Sequence, residues 1–245
     1  MIYPAVLETT VDAGSATKLQ LRRHVGSDFN SEAWLAEVRE MRGCVLYQQG
    51  RRPSFLRSDG SFDDADPMDL NADHILARVR GRLVGCARIV LLKDIESAAV
   101  SSTIGELWFR DILRDLGTTR ERACEASRWT VVPECRGELG RRLVVTSWAV
   151  ARWLDVEVAF VLAGTRQKQD LALIRMGARA IHGLPLFPSD IFDDELRLLY
   201  FDVLHPSQSM LGQMIETAML LNPACVVSPI TSAGSPPADG FRLAS

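Results

Sequence analysis

The chain has 245 residues, 47% hydrophobic and 24% charged, with a formal net charge of −3. That length fits one large α/β domain or two small ones with a sizeable core, and a charge so near zero, with no basic tract, argues against nucleic acid as a partner. Five cysteines (Cys44, Cys86, Cys124, Cys135, Cys225), odd in number and without C-x-x-C spacing, argue against a disulfide framework or zinc site and for reduced thiols in a cytoplasmic protein.

Residues 1–16 read as a flexible N-terminal segment. They lack a signal-peptide pattern, and no apolar run in the chain reaches about 18 residues, so no transmembrane segment is expected. Residues 17–24 alternate as a first strand. Asn30 or Ser31 can cap a helix carrying Trp34, Leu35, Val38, Met41, Val45 and Leu46 at helical spacing. Residues 48–70, rich in Arg, Pro, Gly, Ser and Asp, read as a long loop, a feature that in a compact domain is functional or disordered. Segments 74–79 and 83–91 form a β-hairpin about Arg80-Gly81-Arg82. Residues 104–116 are helical, with Gly117 as the stop.

Residues 124–143 carry the most information. They read as a strand, a short Arg/Gly loop and a helix continuing to about Trp153. Backbone N–H groups at such a helix start have no intrahelical partner, and the helix dipole makes them an anion site. Gly137 and Gly140 allow close backbone approach, and Arg136 and Arg141 add fixed charge. Glu125 and Arg128 lie on the strand leading in, so a base and an anion clamp adjoin a phosphate cradle. This combination points to acyl transfer from a phosphopantetheine thioester.

Downstream, 156–163 is a buried strand, 167–176 a helix ended by Gly177, and 178–182 and 196–204 are strands separated by a loop over 183–195. Residues 207–221 form a last amphipathic helix, and from 222 onward the composition is that of a flexible tail. A single domain over 17–221 follows.

The stretch Val131-Val132-Pro133-Glu134-Cys135-Arg136-Gly137 into Leu139-Gly140-Arg141-Arg142-Leu143, followed by Leu173-Ile174-Arg175-Met176-Gly177-Ala178, resembles the GNAT superfamily of N-acyltransferases. The resemblance implies an α/β (α+β) fold, a central, mixed, mostly antiparallel twisted sheet flanked by helices on both faces. It also places Val131, Arg136, Gly137, Gly140 and Arg141 along the phosphopantetheine arm. The superfamily's loop reads R-x-x-G-x-G or G-A; Arg136-Gly137-Glu138-Leu139-Gly140 is one residue shorter and lacks the middle glycine.

Four further elements resemble the acyl-homoserine lactone synthases and the related long-chain N-acyl amino acid synthases. Asp66-Pro67-Met68-Asp69 before Ala72-Asp73-His74-Ile75-Leu76-Ala77 is similar to their D-x-x-D element, and Gly85-Cys86-Ala87-Arg88 to their strand arginine. Glu125-Ala126-Ser127-Arg128 is similar to their E-x-S-R strand, and Arg42 to their N-terminal arginine. The resemblance spans residues 34–204. The phenylalanine and tryptophan that lactone synthases place around S-adenosylmethionine are replaced by Leu46 and by Arg51-Arg52-Pro53. The expected reaction is therefore N-acylation of an amino acid or similar small amine, with an acyl carrier protein as donor and partner. The acyl-phosphopantetheine, on carrier protein or coenzyme A, is a co-substrate, and no tightly bound cofactor is implied. Alternatives are a lactone synthase using S-adenosylmethionine, an acetyl-coenzyme A GNAT enzyme, and a non-catalytic binding module.

In that frame Glu125 and Arg128 are the catalytic candidates and Arg42, Asp66, Asp69 and Arg88 bind the acceptor. Glu125 is suited to take the amine's proton, and partial burial would raise its pKa toward working pH. A strand N–H freed where the central strands splay, helped by Arg128, suits the oxyanion. The plainer reading is a Glu125–Arg128 ion pair. Asp66 and Asp69 are either a solvated turn or, through pairs with Arg42 or Arg88, the ordering element of the acceptor site. Arg88, on a strand interior, needs a partner if buried. Arg136 and Arg141 contact phosphate or only solvent, and Arg179 meets an acidic carrier protein or only solvent. Trp148, Ala151, Trp153 and Val144 are core or an acyl tunnel, with core favoured. Cys135 has no histidine near it in sequence to activate a thiolate. His24, His74, His182 and His205 show no ligand spacing, so no metal site is expected.

Overall fold

In this computed structural model, residues 9–10, 17–23, 33–50, 52–96, 98–190, 193–205 and 213 are described. His24, the caps Asn30 and Ser31, Arg51, the 207–221 helix apart from Gln213, the tail and Cys225 lie outside them, as does most of segment 1–16.

The described residues form one nine-stranded sheet with five helices. The strands are β1 (Thr9–Thr10), β2 (Thr17–Arg23), β3 (Ala72–Val79), β4 (Arg82–Leu91), β5 (Ala123–Val131), β6 (Val158–Gly164), β7 (Arg179–Ala180), β8 (Phe187–Ser189) and β9 (Asp194–Asp202). Their order is β1-β2-β3-β4-β5-β6-β9-β7, with β8 also on β9. Every pairing is antiparallel except β5 with β6. The helices are α1 (Ala33–Gln48), α2 (Ala99–Ile104), α3 (Glu106–Asp115), α4 (Glu138–Trp153) and α5 (Gln169–Arg175). Among the described residues, no helix is long and apolar enough to cross a membrane.

Period-two alternation divides the sheet's faces by chemistry. Leu21, Ile75 and Ala87 stand opposite one another across β2, β3 and β4. They share their face with Gly85, where an added Cβ would come 3.2 Å from Leu143 Cδ1 of α4. The absent side chain lets α4 lie close on the sheet. Through the other face runs the row Arg22, His74, Arg88 and Ser127, and there α1 and the 64–69 segment pack. On that face too α3 sets Phe109 edge-on against Phe160 of β6, 5.1 Å between ring centroids. Helices therefore cover both faces, as the resemblance implied.

Several boundaries differ from the sequence reading. The helix expected from 104 to 116 is two helices, broken at Gly105, whose φ of +90° ends α2 and starts α3. The strand expected over 178–182 is two residues long, while the loop over 183–195 contains β8. Segment 1–16 contributes β1 to the sheet edge. The hairpin loop is Arg80-Gly81, both at positive φ, the conformation whose twist matches the flanking strands.

One irregularity positions the site. β5 pairs with β4 along its length but with β6 only through Ala123, Cys124 and Glu125. Beyond Glu125 the two parallel strands part, and the backbone groups of β5 on that side take no partner from β6.

Candidate active site

Four guanidinium groups and four carboxylates from distant parts of the chain meet beside this fork. α1 supplies Arg39 and Arg42, three residues apart and so on one face of the helix. The 64–69 segment supplies Asp64, Asp66 and Asp69; β4 supplies Arg88, and β5 supplies Glu125 and Arg128.

Asp69 is the hub. Its carboxylate takes a bidentate pair from Arg42 (Nη1 3.0 Å, Nη2 2.7 Å), a third contact from Arg39 Nε at 3.2 Å and a fourth from Arg88 Nη1 at 3.0 Å. Arg42 also donates to the Asp64 carbonyl at 2.7 Å, and its Nε lies 3.0 Å from Asp64 Oδ2. Arg88 reaches Asp66 Oδ2 at 2.8 Å and donates to Ser127 Oγ at 3.3 Å. Asp66 caps its own turn (Pro67–Asn71) by accepting the Met68 N–H at 2.9 Å.

Arg128 enters differently. The β4–β5 register slips between Cys86 and Arg88, so Ala87 alone faces Arg128 and Trp129, a β-bulge. Arg128 has φ +57°, the left-handed conformation, which costs a non-glycine residue roughly 1 kcal/mol or more. Its guanidinium lies on Asp64 (3.1 Å) and Asp66 (2.6 Å). The Glu125–Arg128 ion pair that adjacency on one strand suggested is therefore not what forms. Glu125 instead accepts the Val100 N–H of α2 on Oε2 at 3.0 Å, and its Oε1 lies 3.9 Å from Arg88 Nη2.

Exposure gives the network a direction. The side chains of Arg128 and Asp66 are 16% and 13% exposed, those of the other six at most 6%. A ligand from solvent meets Arg128 and Asp66 first.

The fields are strong. Burial opposes ionisation of Asp66, but Arg88 and Arg128 hold its carboxyl down at about 2. Asp69, against the same burial, is held well below the usual carboxylate range by Arg42 and then Arg88. His74 of β3 is wholly buried, which, with Arg42 and Arg88 nearby, lowers it from 6.5 to about 4 although Asp69 pulls the other way.

That depression has a sign. Between pH 6.5 and 4 the unfolded chain takes up a proton that folded His74 refuses. Stability is thus whole above pH 6.5 and falls as pH drops toward 4, by about 3 kcal/mol from this group. The aspartates' contributions vanish only below 3.8. Urea unfolding from pH 7.5 to 4.5 should therefore follow a steeper pH slope in the native chain than in His74→Phe; equal slopes would rule the buried neutral imidazole out as the cause.

At the far end of β5, Val131 is half-buried and leads through the turn Pro133–Cys135 to Arg136, which is exposed. Gly137 precedes α4 at φ +89°, and a Cβ at Gly137 or Gly140 would meet nothing within 4 Å, so the backbone there lies open. Arg141 and Arg142 both pair with Glu138 of the same helical turn, and Arg82 with Glu134 at 3.0 Å. Beside the bend, a cavity of about 90 Å³ is lined by Met41, Cys44 and Val45 of α1 and by Val132, Pro133 and Glu134.

The structure thus gathers Arg42, Asp66, Asp69, Arg88, Glu125 and Arg128 into one network and places Val131, Arg136, Gly137, Gly140 and Arg141 at the bend. Arg39, Asp64, Ser127 and His74 belong with the first group and were given no site role from sequence. Ser127 had a signal as the serine of the E-x-S-R element, and Arg39 in its three-residue offset from Arg42. Ala151 and Val144 are core; Trp148 is half-buried and donates to the Asp202 carbonyl at 3.4 Å. Arg179 is exposed, 3.8 Å from Asp202. Cys44, Cys86, Cys124 and Cys135 are free thiols, and burial pushes Cys86 up to about 11.

Comparison with known proteins finds the same fold. Residues 49–146 match the acetyltransferase (GNAT) domain family. No curated protein matches the chain in sequence. Among solved structures, the acyl-homoserine lactone synthase LasI superposes with a TM-score of 0.55 at 16% identity, over 81% of this chain and 95% of that one. FeeM, an N-acyl amino acid synthase from uncultured soil microbes, gives 0.55 at 14% identity, over 81% and 98%. The coenzyme A-dependent lactone synthase BjaI gives 0.55 at 17%, over 76% and 83%.

Proposed function

We propose that this chain, an acyltransferase of the GNAT type, is a cytoplasmic N-acyltransferase that moves a fatty acyl group from an acyl carrier protein to the amine of an amino acid or related small molecule. One observation carries the reading: a buried carboxylate, Glu125, stands where β5 leaves β6, beside an ion-paired network of arginines and aspartates.

The fork suits a donor carried on a pantetheine arm. Past Glu125 the amides on one side of β5 lack a partner in β6, and the pantetheine arm, itself a chain of amides, can complete them. Its phosphate then reaches the bend at Arg136, Gly137 and Gly140, with Val131 on the way and Arg141 at the helix start.

The chemistry follows from the two ends. The acceptor's amine nitrogen attacks the thioester carbonyl carbon, and its proton passes to Glu125 directly or through one water. Oε2 is committed to the Val100 N–H, which leaves Oε1 to receive it. The oxyanion is met by a backbone N–H of β5 at the fork, with Arg128 in support. On collapse the carbon–sulfur bond breaks, the pantetheine sulfur leaves as thiolate and takes up a proton, and the amide remains. Asp66, Asp69, Arg42 and Arg88 hold the acceptor.

The test is a product analysis by mass spectrometry. Purified protein is given acyl carrier protein thioesters or the matching acyl-coenzyme A, with the common amino acids or with S-adenosylmethionine. An N-acyl amino acid formed from the carrier thioester is the expected result. Lactone from S-adenosylmethionine, or turnover with acetyl-coenzyme A alone, would replace this reading.

A further inference from the structure

We propose that His74, which touches neither acyl donor nor acceptor, is a positioning residue for the acceptor site. Its imidazole clamps the turn that aims Asp66 and Asp69; the inference rests on the function proposed above for that site.

His74 lies on β3, three residues past the end of the Pro67–Asn71 turn, and is fully buried. Its Nε2 lies 3.0 Å from the carbonyl oxygen of Asp69, which can only accept, so Nε2 carries the proton. Nδ1 is buried and has no hydrogen-bond partner among the described residues. The imidazole is therefore neutral, with one tautomer and one donor. A second proton on Nδ1 would add a buried cation beside Arg42 and Arg88.

The ring is itself fixed. Trp34 of α1 meets it edge-on, 5.3 Å between centroids, and Arg88 is its cross-strand neighbour. Within the turn the Asp69 N–H donates to the Asp66 carbonyl at 3.0 Å. His74 thus holds one end of a unit whose other end is Asp66, the acid at the network's solvent edge. Three arginines bind the Asp69 carboxylate, whereas this imidazole holds its backbone carbonyl, and so the direction in which the turn faces. A displacement of about 1 Å in a positioning group can lower the rate about 100-fold.

Three variants decide it. The amide nitrogen of Gln falls near Nε2 of His, whereas that of Asn falls near Nδ1, and Phe keeps the contact with Trp34 without a donor. His74→Phe is expected to lose about 10- to 100-fold in kcat/KM for the amino acid that the native protein acylates fastest, with the carrier-protein thioester KM little changed. His74→Gln should recover most of this, and His74→Asn should not. Hydrogen exchange over residues 64–71 reads the clamp without any substrate: faster in Phe and Asn, near native in Gln. Native rates and exchange in His74→Phe, equal losses for donor and acceptor, or Gln no better than Asn would each overturn the proposal. Should Phe fail to fold, the Gln–Asn comparison still decides. If the native chain forms no N-acyl product, the functional reading fails, whereas the exchange data still judge the clamp.

Discussion

Asp69→Asn is expected to remove about 3–5 kcal/mol of folding stability, the largest single-residue effect in this protein. The substitution is isosteric, so no cavity forms and the turn can keep its shape. What disappears is the charge that neutralises Arg39, Arg42 and Arg88, all buried and all within 3.2 Å of its two oxygens. A guanidinium cannot shed its proton to escape, so the uncompensated charge persists at every accessible pH. Against a typical domain stability of about 5–15 kcal/mol, the loss is roughly a fifth or more of the whole. Urea unfolding should show a much lower midpoint with a similar slope. Asp66→Asn is the control, since its partners Arg88 and Arg128 keep other carboxylates and it lies nearer water. A midpoint for Asp69→Asn equal to that of the control would refute the hub.

Glu125→Gln is expected to fold normally and to lose about 100- to 10,000-fold in kcat, the range for a missing general base. The amide oxygen can still accept the Val100 N–H, so the contact tying α2 to β5 survives. The side chain keeps its volume, and Arg88 retains Asp66 and Asp69. Only proton affinity is lost. Glu125→Ala would be a poorer test, because it strands that N–H and opens a void against α2. Thiol release from the donor, measured beside circular dichroism, separates the outcomes. Turnover within a few-fold of native in a folded Gln variant would move the base elsewhere.

The stretch over 123–153 was legible in sequence because its signals are local. A strand, a glycine at positive φ and a helix start follow one another within a few residues, and neighbouring chemistry suffices to order them. The charged network was legible only in part. Asp64 sits in a run, Asp63-Asp64-Ala65-Asp66, that reads as a solvated turn until arginines 22 to 64 residues away are brought to it. His74 looked like one residue of an apolar strand, and only the turn folding back beneath it reveals the bond to Asp69. Arg128 was placed on the right strand, but its pairing with Asp64 and Asp66 was not foreseen. Its left-handed backbone arises from a register slip between β4 and β5, which no local pattern in β5 encodes. Gly105 was read through as part of a helix, because the flanking residues are adequate helix formers on both sides.

The parting of β5 from β6 also bears on how the chain avoids clinging to its neighbours. Bare strand amides at the rim of a sheet invite another chain to add itself, the first step of many aggregates. Here the bare amides open inside the sheet, with β4 on one flank and β6 and β9 on the other. A foreign strand has no free rim to follow in, whereas a slender single-file guest does. The fold thus carries adhesive backbone at its centre and offers it only to something as narrow as a thread.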